Sequence, residues 1–256
     1  MPDQLPRHRF YTDTQLTSDE DVTLSDGAAA QITRVLRMRP GDTITLFNGD
    51  GSEVGARIVE AGRRSVVARI EGEPRPGVVI GSPHVHLLQS LIKADQLDLV
   101  VQKATELGVS AITAIKSDHS VVKLSADRAI SKVERWQRIA IEALEQSERA
   151  DFVQINDPIT FRELVGHPPA SVNLIAAERS DGVDLTHAVP AHGESISILI
   201  GPEGGFSPAE IERAVTNGWS PVSMGNTILR SETAGITAVA VIRAIARMHH
   251  QQHEPS

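Results

Sequence analysis

Ile198-Leu199-Ile200-Gly201-Pro202-Glu203-Gly204-Gly205-Phe206-Ser207-Pro208-Ala209-Glu210-Ile211 is the stretch whose reading decides the fold. The apolar run Ser195 to Ile200 predicts a buried strand. It breaks into a glycine-rich turn. Ser207 then suits an N-cap, Pro208 the first helical position, and Glu210 completes a capping box. Strand, glycine turn and helix in that order is how open α/β sheets build ligand sites at the carboxyl ends of their strands. A phosphate cradle does not fit. The turn has no lysine, Glu203 would repel a phosphate, and glycines at 201, 204 and 205 miss the G-x-G-x-x-G spacing. A carboxylate among glycines suits a ligand that carries positive charge and needs close backbone approach. From this turn alone, an exposed glutamate with no ligand is an equal alternative.

A second stretch, Met224-Gly225-Asn226-Thr227-Ile228-Leu229-Arg230-Ser231-Glu232-Thr233-Ala234, also follows a short apolar segment and enters a helix. Further blocks stand upstream: Gln102-Lys103-Ala104-Thr105-Glu106-Leu107-Gly108, Lys132-x-Glu134-Arg135-Trp136 and Glu145-Gln146-Ser147-x-Arg149. Together, I-G-P-E-G-G-F and L-R-S-E-T-A closely resemble the paired C-terminal signatures of the SPOUT methyltransferases. The resemblance is closest to the RsmE family, which methylates N3 of a uridine in small-subunit (16S) ribosomal RNA. It covers nearly the whole chain, is specific in the C-terminal half, and is looser over the first eighty or so residues.

The 256 residues are 40% apolar, enough to bury one large or two small cores. No run of eighteen apolar residues predicts a membrane span. Met1 to Phe10 is polar and basic, which predicts no secretory leader and a cytoplasmic protein. There is no cysteine, which removes disulfides, thiolate chemistry and thiol-rich zinc sites. The net charge of −8 argues against a non-specific nucleic-acid binder, because such binding needs cations to displace phosphate counterions. It leaves room for local basic patches. His249-His250-Gln251-Gln252-His253 reads as a polar tail, and His84 with His86 as structural or surface residues, so no metal is expected.

Residues 1–76 read as β-rich. Thr43 to Phe47 alternates polar and apolar, Asn48-Gly49 and Asp50-Gly51 make a strong turn, and Glu53–Val59 and Ser65–Ile70 predict further strands. Glu73-Pro74-Arg75-Pro76-Gly77 reads as a linker. From Val78 onward the pattern becomes α/β. It predicts strands at Val85–Leu91, Ala111–Ile115, Val172–Ala177, Ser195–Ile200 and around Val222. Helices are predicted at Asp95–Leu107, Arg128–Arg149 and from Ser231 to about Met248. Alternating strands and helices imply a mainly parallel sheet covered on both faces. The resemblance adds what periodicity does not. It implies an α/β chain with an N-terminal PUA-like RNA-binding β-barrel (1–76) followed by a SPOUT domain (77–256). That domain would carry a C-terminal trefoil knot and form a homodimer. The small residues Ala234, Gly235, Ala238 and Ala240 suit the close packing of a knot or of a dimer interface.

The resemblance also assigns S-adenosylmethionine to three loops after consecutive strands. Its candidate contacts are Ala177, Glu178, Leu199, Gly201, Glu203, Gly204, Gly205, Met224, Gly225, Ile228, Leu229, Thr233 and Ala234. Uracil N3 must lose its proton before it can accept a methyl group. Arg230 is the candidate to stabilise the charge developing on O2 or O4. Glu232 is the candidate to accept the proton or to orient Arg230, against the plainer reading of a local ion pair at a helix start. Arg7, Arg9 and Phe10 pair arginines with an aromatic ring, a combination suited to phosphates and stacked bases. Arg34, Arg37 and Arg39 form a second basic cluster, in which Arg34 and Arg37 could share a helix face. Gln146 and Arg149 resemble the family's block after the long helix, which implies that they line the RNA side of the site or hold the loop around it. The alternatives are a ribose 2′-O-methyltransferase of the same superfamily, an RNA-binding protein without catalysis, and a nucleotide-binding protein.

Overall fold

The computed structural model describes residues 5–62, 65–120, 126–177, 182–191 and 195–251. By its contacts the chain divides into two units, Met1–Ile80 with Leu144–Phe152, and Gly81–Ala143 with Val153–Ser256.

The first unit is built on a five-stranded sheet. Its strands are β1 (Arg9–Tyr11), β2 (Asp21–Thr23), β3 (Thr43–Phe47), β4 (Ser52–Ala61) and β5 (Val66–Pro76), in the order β1-β3-β4-β5-β2. β1 runs parallel to β3, and the other pairs are antiparallel. Gly49 and Gly51, at φ +87° and +97°, turn the β3–β4 hairpin as the Asn-Gly and Asp-Gly pairs predict. The inward residues Ile44, Leu46, Val54, Ala56, Ile58, Ala68 and Ile70 share one core with Phe10, Val22, Ala29 and Ile32. Ala29 lies on the short helix α1 (Asp26–Ala30), and Ile32 on the π-helical turn Gln31–Val35 that follows it.

Two expectations change in this unit. Residues 73–76 are not a linker. They continue β5 against β4, with Arg75 opposite Glu53 and Pro76 opposite Ser52. The prolines are tolerated because β2 pairs with β5 only at Val67–Arg69, which leaves residues 73–76 without a second neighbour. Arg34 and Arg37 share no helix face. The helical turn ends at Val35, the Met38 N–H closes onto the Ile32 carbonyl, and Arg37 takes φ +56°.

The second unit is a seven-stranded sheet in which every adjacent pair is parallel. Its strands are β6 (His84–Ser90), β7 (Ala111–Lys116), β8 (Gln154–Thr160), β9 (Val172–Ala176), β10 (Val183–Asp184), β11 (Ser195–Ile200) and β12 (Ser220–Ser223). They stand in the order β10-β12-β9-β11-β6-β7-β8. Its helices are α2 (Ala94–Glu106), α3 (Ala126–Ser147, whose last turn belongs to the first unit), α4 (Phe161–Gly166), α5 (Leu185–Ala188), α6 (Pro208–Thr216) and α7 (Ser231–Gln251). Strand side chains alternate between the faces. Leu88, Ile115, Ile175 and Leu199 pack on Phe161, Leu164, Ala214 and Trp219 of α4, α6 and the turn after α6. α7 lies against α2, β6 and β11. Ala234 and Ala238 are buried there within the chain, and Arg243 donates to the carbonyls of Pro83 and Gly108 at 2.6 and 2.7 Å.

β8 and α4 were not expected from the sequence. β8 is an edge strand carrying Asn156-Asp157-Pro158, with an irregular register opposite Thr113–Ile115, so its apolar alternation is broken.

Candidate functional site

β9, β11 and β12 are neighbours pointing the same way, with Ile175 opposite both Leu199 and Pro221. The loops starting at Ala177, Gly201 and Met224 therefore leave one edge of the sheet side by side, as expected. The Ala177 N–H donates to the Val222 carbonyl at 3.1 Å, which carries the pairing one residue past β9. Glu178 lies outside the described residues.

The loop after β11 is a tight turn. The Gly205 N–H donates to the Pro202 carbonyl at 2.9 Å, and Gly205 sits at φ +69° with open space where a Cβ would project. Gly201 and Gly204 are small for packing reasons. A Cβ would meet the Phe206 ring at 3.3 Å in the first case and the His119 side chain at 3.3 Å in the second. Glu203 is exposed. α6 begins as its sequence predicts, with Ser207 and Glu210 closing a reciprocal capping box. Glu210 also accepts the Asp118 N–H at 2.9 Å, and His119 Nδ1 lies 3.1 Å from the Gly205 carbonyl. The loop after β7 thus joins the site. Sequence reading missed it because nothing in Ser117-Asp118-His119-Ser120 has a motif spacing.

The loop after β12 holds Met224, half-buried, and Gly225 at φ +105° with open space beside it. Ile228 is 65% exposed and Leu229 half-buried, so two apolar side chains are offered next to the glycine turns. Arg230 occupies the N-cap of α7, its carbonyl accepting from the Ala234 N–H at 2.8 Å. Its guanidinium is exposed, and among the described residues no carboxylate pairs with it. The local ion pair with Glu232 is therefore not formed. Glu232 is half-buried. Its Oε1 faces Gln96 Nε2 at 3.5 Å, and its Oε2 is buried without a partner. Thr233 is exposed and Ala234 buried on the first turn of α7.

Two residues outside the sequence motifs lock these loops together. Ser231 Oγ donates to the Gly201 carbonyl, and Gln89 Nε2 donates to Ser231 Oγ at 2.9 Å. A hydroxyl has one proton, so Ser231 can give to Gly201 only if it accepts from Gln89. The signal in the sequence was a glutamine beside the apolar pair Leu87-Leu88 of the predicted strand Val85–Leu91.

The candidate RNA-facing residues of the first unit divide into two groups. Arg7 and Gln146 are exposed and line one polar cavity of about 180 Å³ with His8, Gln31 and Glu148. Arg34, Arg37 and Arg39 are exposed as well. Three others are turned inward. Phe10 is 1% exposed in the core, so its ring faces no stacked base. Arg9 is buried against Glu53 and stands 5.2 Å over the Phe47 ring. Arg149 is 2% exposed and forks onto Asp151 at 2.7 and 3.1 Å. Alternation along β1 explains the first case, since Phe10 must point away from its neighbours on the strand.

Among the described residues no cluster of three or more His, Asp or Glu side chains could hold a metal ion, and no helix is long and apolar enough to cross a membrane.

Comparison with known proteins adds to this geometry. Residues 81–243 match the model of an RNA methyltransferase domain, and residues 32–71 that of an RNA methyltransferase PUA domain. The chain is 31% identical to the ribosomal RNA small subunit methyltransferase E of Bacillus subtilis, over 90% of this chain and 93% of the relative. It is 30% identical to the protein of that name from Synechocystis, over 93% and 78%. Among solved structures, the ribosomal RNA small subunit methyltransferase E of Neisseria gonorrhoeae bound to S-adenosyl methionine superimposes with a TM-score of 0.85. It is 32% identical and the match covers 94% of this chain and 98% of that one.

Proposed function

The chain belongs to the ribosomal RNA small subunit methyltransferase E family, and from that premise we propose that it methylates N3 of a specific uridine in 16S ribosomal RNA, with S-adenosylmethionine as donor. In this reading residues 1–76 form the PUA-like RNA-binding domain and residues 77–256 the SPOUT domain. The SPOUT domain threads a trefoil knot, the protein is a cytoplasmic homodimer, and its substrate is the RNA, within the assembled small subunit.

The cofactor supplies an activated methyl group on a sulfonium. The residues at the sheet edge suit it. Gly205 and Gly225 leave open space at the backbone, which lets a ligand approach main-chain donors and acceptors closely. Ile228 and Leu229 offer apolar surface to a planar base. Glu203 offers a carboxylate to hydroxyl or ammonium groups, and Ala177, Leu199, Gly201, Gly204, Met224, Thr233 and Ala234, with Glu178 from outside the described residues, complete the proposed contact set.

Arg230 carries the proposal. It is an exposed guanidinium fixed at the start of α7, beside the three loops and unpaired among the described residues. A cation held there stabilises the negative charge that spreads onto uracil O2 or O4 as N3 loses its proton. Glu232, two residues on, accepts that proton or orients Arg230; its half-buried carboxylate has one buried oxygen, Oε2, without a partner. Arg7, Arg34, Arg37, Arg39 and Gln146 contact the RNA backbone.

The test is methyl transfer from labelled S-adenosylmethionine to small ribosomal subunits, followed by nucleoside mass spectrometry. The expected product is 3-methyluridine, and Arg230→Ala should lower kcat by about a hundredfold or more while cofactor affinity stays the same. A 2′-O-methyl product would move the reaction to the ribose and sink the N3 assignment.

A further inference from the structure

Lys116, Arg162 and Arg213 come from three separate elements, the end of β7, the first turn of α4 and the last turn of α6, and line one cavity of about 310 Å³. Arg162 and Arg213 are exposed and Lys116 is half-buried. Among the described residues none of the three is in an ion pair.

The acids on or beside the cavity are held by neutral donors and form no ion pair with the three cations. Glu210 spends its two oxygens on the N–H groups of Ser207 and Asp118, at 2.8 and 2.9 Å. Asp118 Oδ2 accepts from the Ser207 hydroxyl at 3.2 Å. Glu163 Oε2 accepts from both the N–H and the hydroxyl of Thr160, at 2.8 and 2.7 Å. The hydroxyl of Thr160 is the main reason that the Glu163 carboxyl sits below its usual range, and the charge of Lys116 adds to it. Arg162 stands where a cation opposes the helix dipole, so helix stability does not explain its place. In a chain of net charge −8, a cavity lined by the three cations Lys116, Arg162 and Arg213 against the two carboxylates Asp118 and Glu210 is a locally positive exception.

The cavity also has a telling location. Asp118, on its wall, is bonded to Ser207, and the next residue, His119, to Gly205. It therefore opens on the same edge of the sheet as the glycine turn of the functional site. An RNA strand that presents a base to that edge carries its neighbouring phosphates within reach.

We propose that the Lys116–Arg162–Arg213 cavity binds a backbone phosphodiester of the substrate RNA next to the methylated nucleotide. The identity of the polyanion rests on the proposed function; the anion site rests on the geometry alone. Its role is to hold register, because phosphate contacts position a strand and base contacts specify it.

The experiment measures binding of the full-length protein to a small-subunit ribosomal RNA fragment across a salt series. Wild type is compared with Arg162→Glu, Arg213→Glu and the double variant. Thermal melting and S-adenosylmethionine titration confirm that each variant is folded; Arg162→Gln with Arg213→Gln replaces any that is not. The double variant should bind at least about tenfold more weakly. Its slope of log affinity against log salt should shrink by about one for each phosphate that is no longer neutralised. In turnover, KM for RNA should rise with kcat kept, and Arg162→Lys with Arg213→Lys should restore the slope. Unchanged affinity and slope would overturn the site. So would thermal stabilisation of the wild type by millimolar inorganic phosphate that the double variant loses while keeping its RNA affinity, which would give the cavity to a free anion. Weakened binding to small subunits with unchanged binding to naked RNA would give it to a ribosomal protein. Failure of the parent reading looks different: wild-type protein would bind RNA, with the variants weakened, and transfer no methyl group.

Discussion

Gln89 and Ser231 stand 142 positions apart in the chain and share a buried hydrogen bond of 2.9 Å, through which a central strand holds the start of the last helix. Ser231 passes the interaction on to the Gly201 carbonyl, so one glutamine fixes the relation between two loops of the candidate cofactor site. Gln89→Leu keeps the volume and removes the donor. Ser231 Oγ then loses a buried partner, which costs about 1–3 kcal/mol. Chemical denaturation should register that loss. S-adenosylmethionine titration should show affinity down several-fold, with KM for RNA unmoved. Equal cofactor affinity in variant and wild type would mean that the loops hold their places without this bond.

Gly235 faces the other atom of the same amide. A Cβ there would lie 2.3 Å from Gln89 Oε1, with Val100 behind it at 3.6 Å. Gly235→Ala gains about 1 kcal/mol of helix propensity but must push a fully buried side chain off its partner, at about 1–3 kcal/mol. The net effect should be destabilising in the wild-type background and stabilising in Gln89→Ala, where the clash is gone. A double-mutant cycle read by urea melts checks this change of sign.

How far the sequence carried the reading depended on where each signal was local. β11, the glycine turn and the Ser207–Glu210 capping box depend on adjacent residues, and the structure has them as expected. α2 ends at Gly108, whose φ of +100° suits only glycine well. The inward turn of Arg9 was not legible because its partner, Glu53, lies 44 positions away; Arg149 has its partner Asp151 two residues on, but its burial is set by tertiary packing. The arginine-aromatic pattern at Arg7 to Tyr11 is shared by an RNA-contacting strand and by a strand that buries an ion pair. Gln89 was hidden for a related reason: no local rule ties a strand glutamine to a serine so distant.

Arg149 gives a direct test of whether an arginine in this region serves the fold or the RNA. It is buried and forked onto Asp151, and removing one partner of such a pair leaves the other uncompensated, at about 3–5 kcal/mol when both are fully buried. Asp151 is partly exposed, which brings the expected loss for Arg149→Met to about 2–3 kcal/mol. Thermal melting should drop accordingly, while the RNA salt slope of the surviving folded protein stays at its wild-type value. A reduced slope with unaltered melting would return Arg149 to the RNA surface. Gln146→Ala makes the contrast, with little change in melting and a measurable loss of RNA affinity.

His86 makes stability depend on pH. Its Nε2 lies 2.8 Å from Thr113 Oγ1, and that hydroxyl already accepts from Asn156 Nδ2 at 2.9 Å. The hydroxyl keeps its proton and a second lone pair for the imidazole, so either neutral tautomer of His86 can pair with it. Burial lowers the His86 pKa to about 4 from its ordinary value of 6.5. In the unfolded chain the imidazole takes up a proton near its ordinary value, and in the folded protein only near the lowered one. Between the two the unfolded state binds more protons, so stability is complete above about pH 6.5 and falls as pH drops toward about 4. The loss at the lower end is at most about 3 kcal/mol. Urea melts from pH 7 to pH 4 should show that decline, and His86→Gln should flatten it while keeping a hydrogen-bonding group beside Thr113. A decline of the same slope in His86→Gln would assign the pH dependence to other groups.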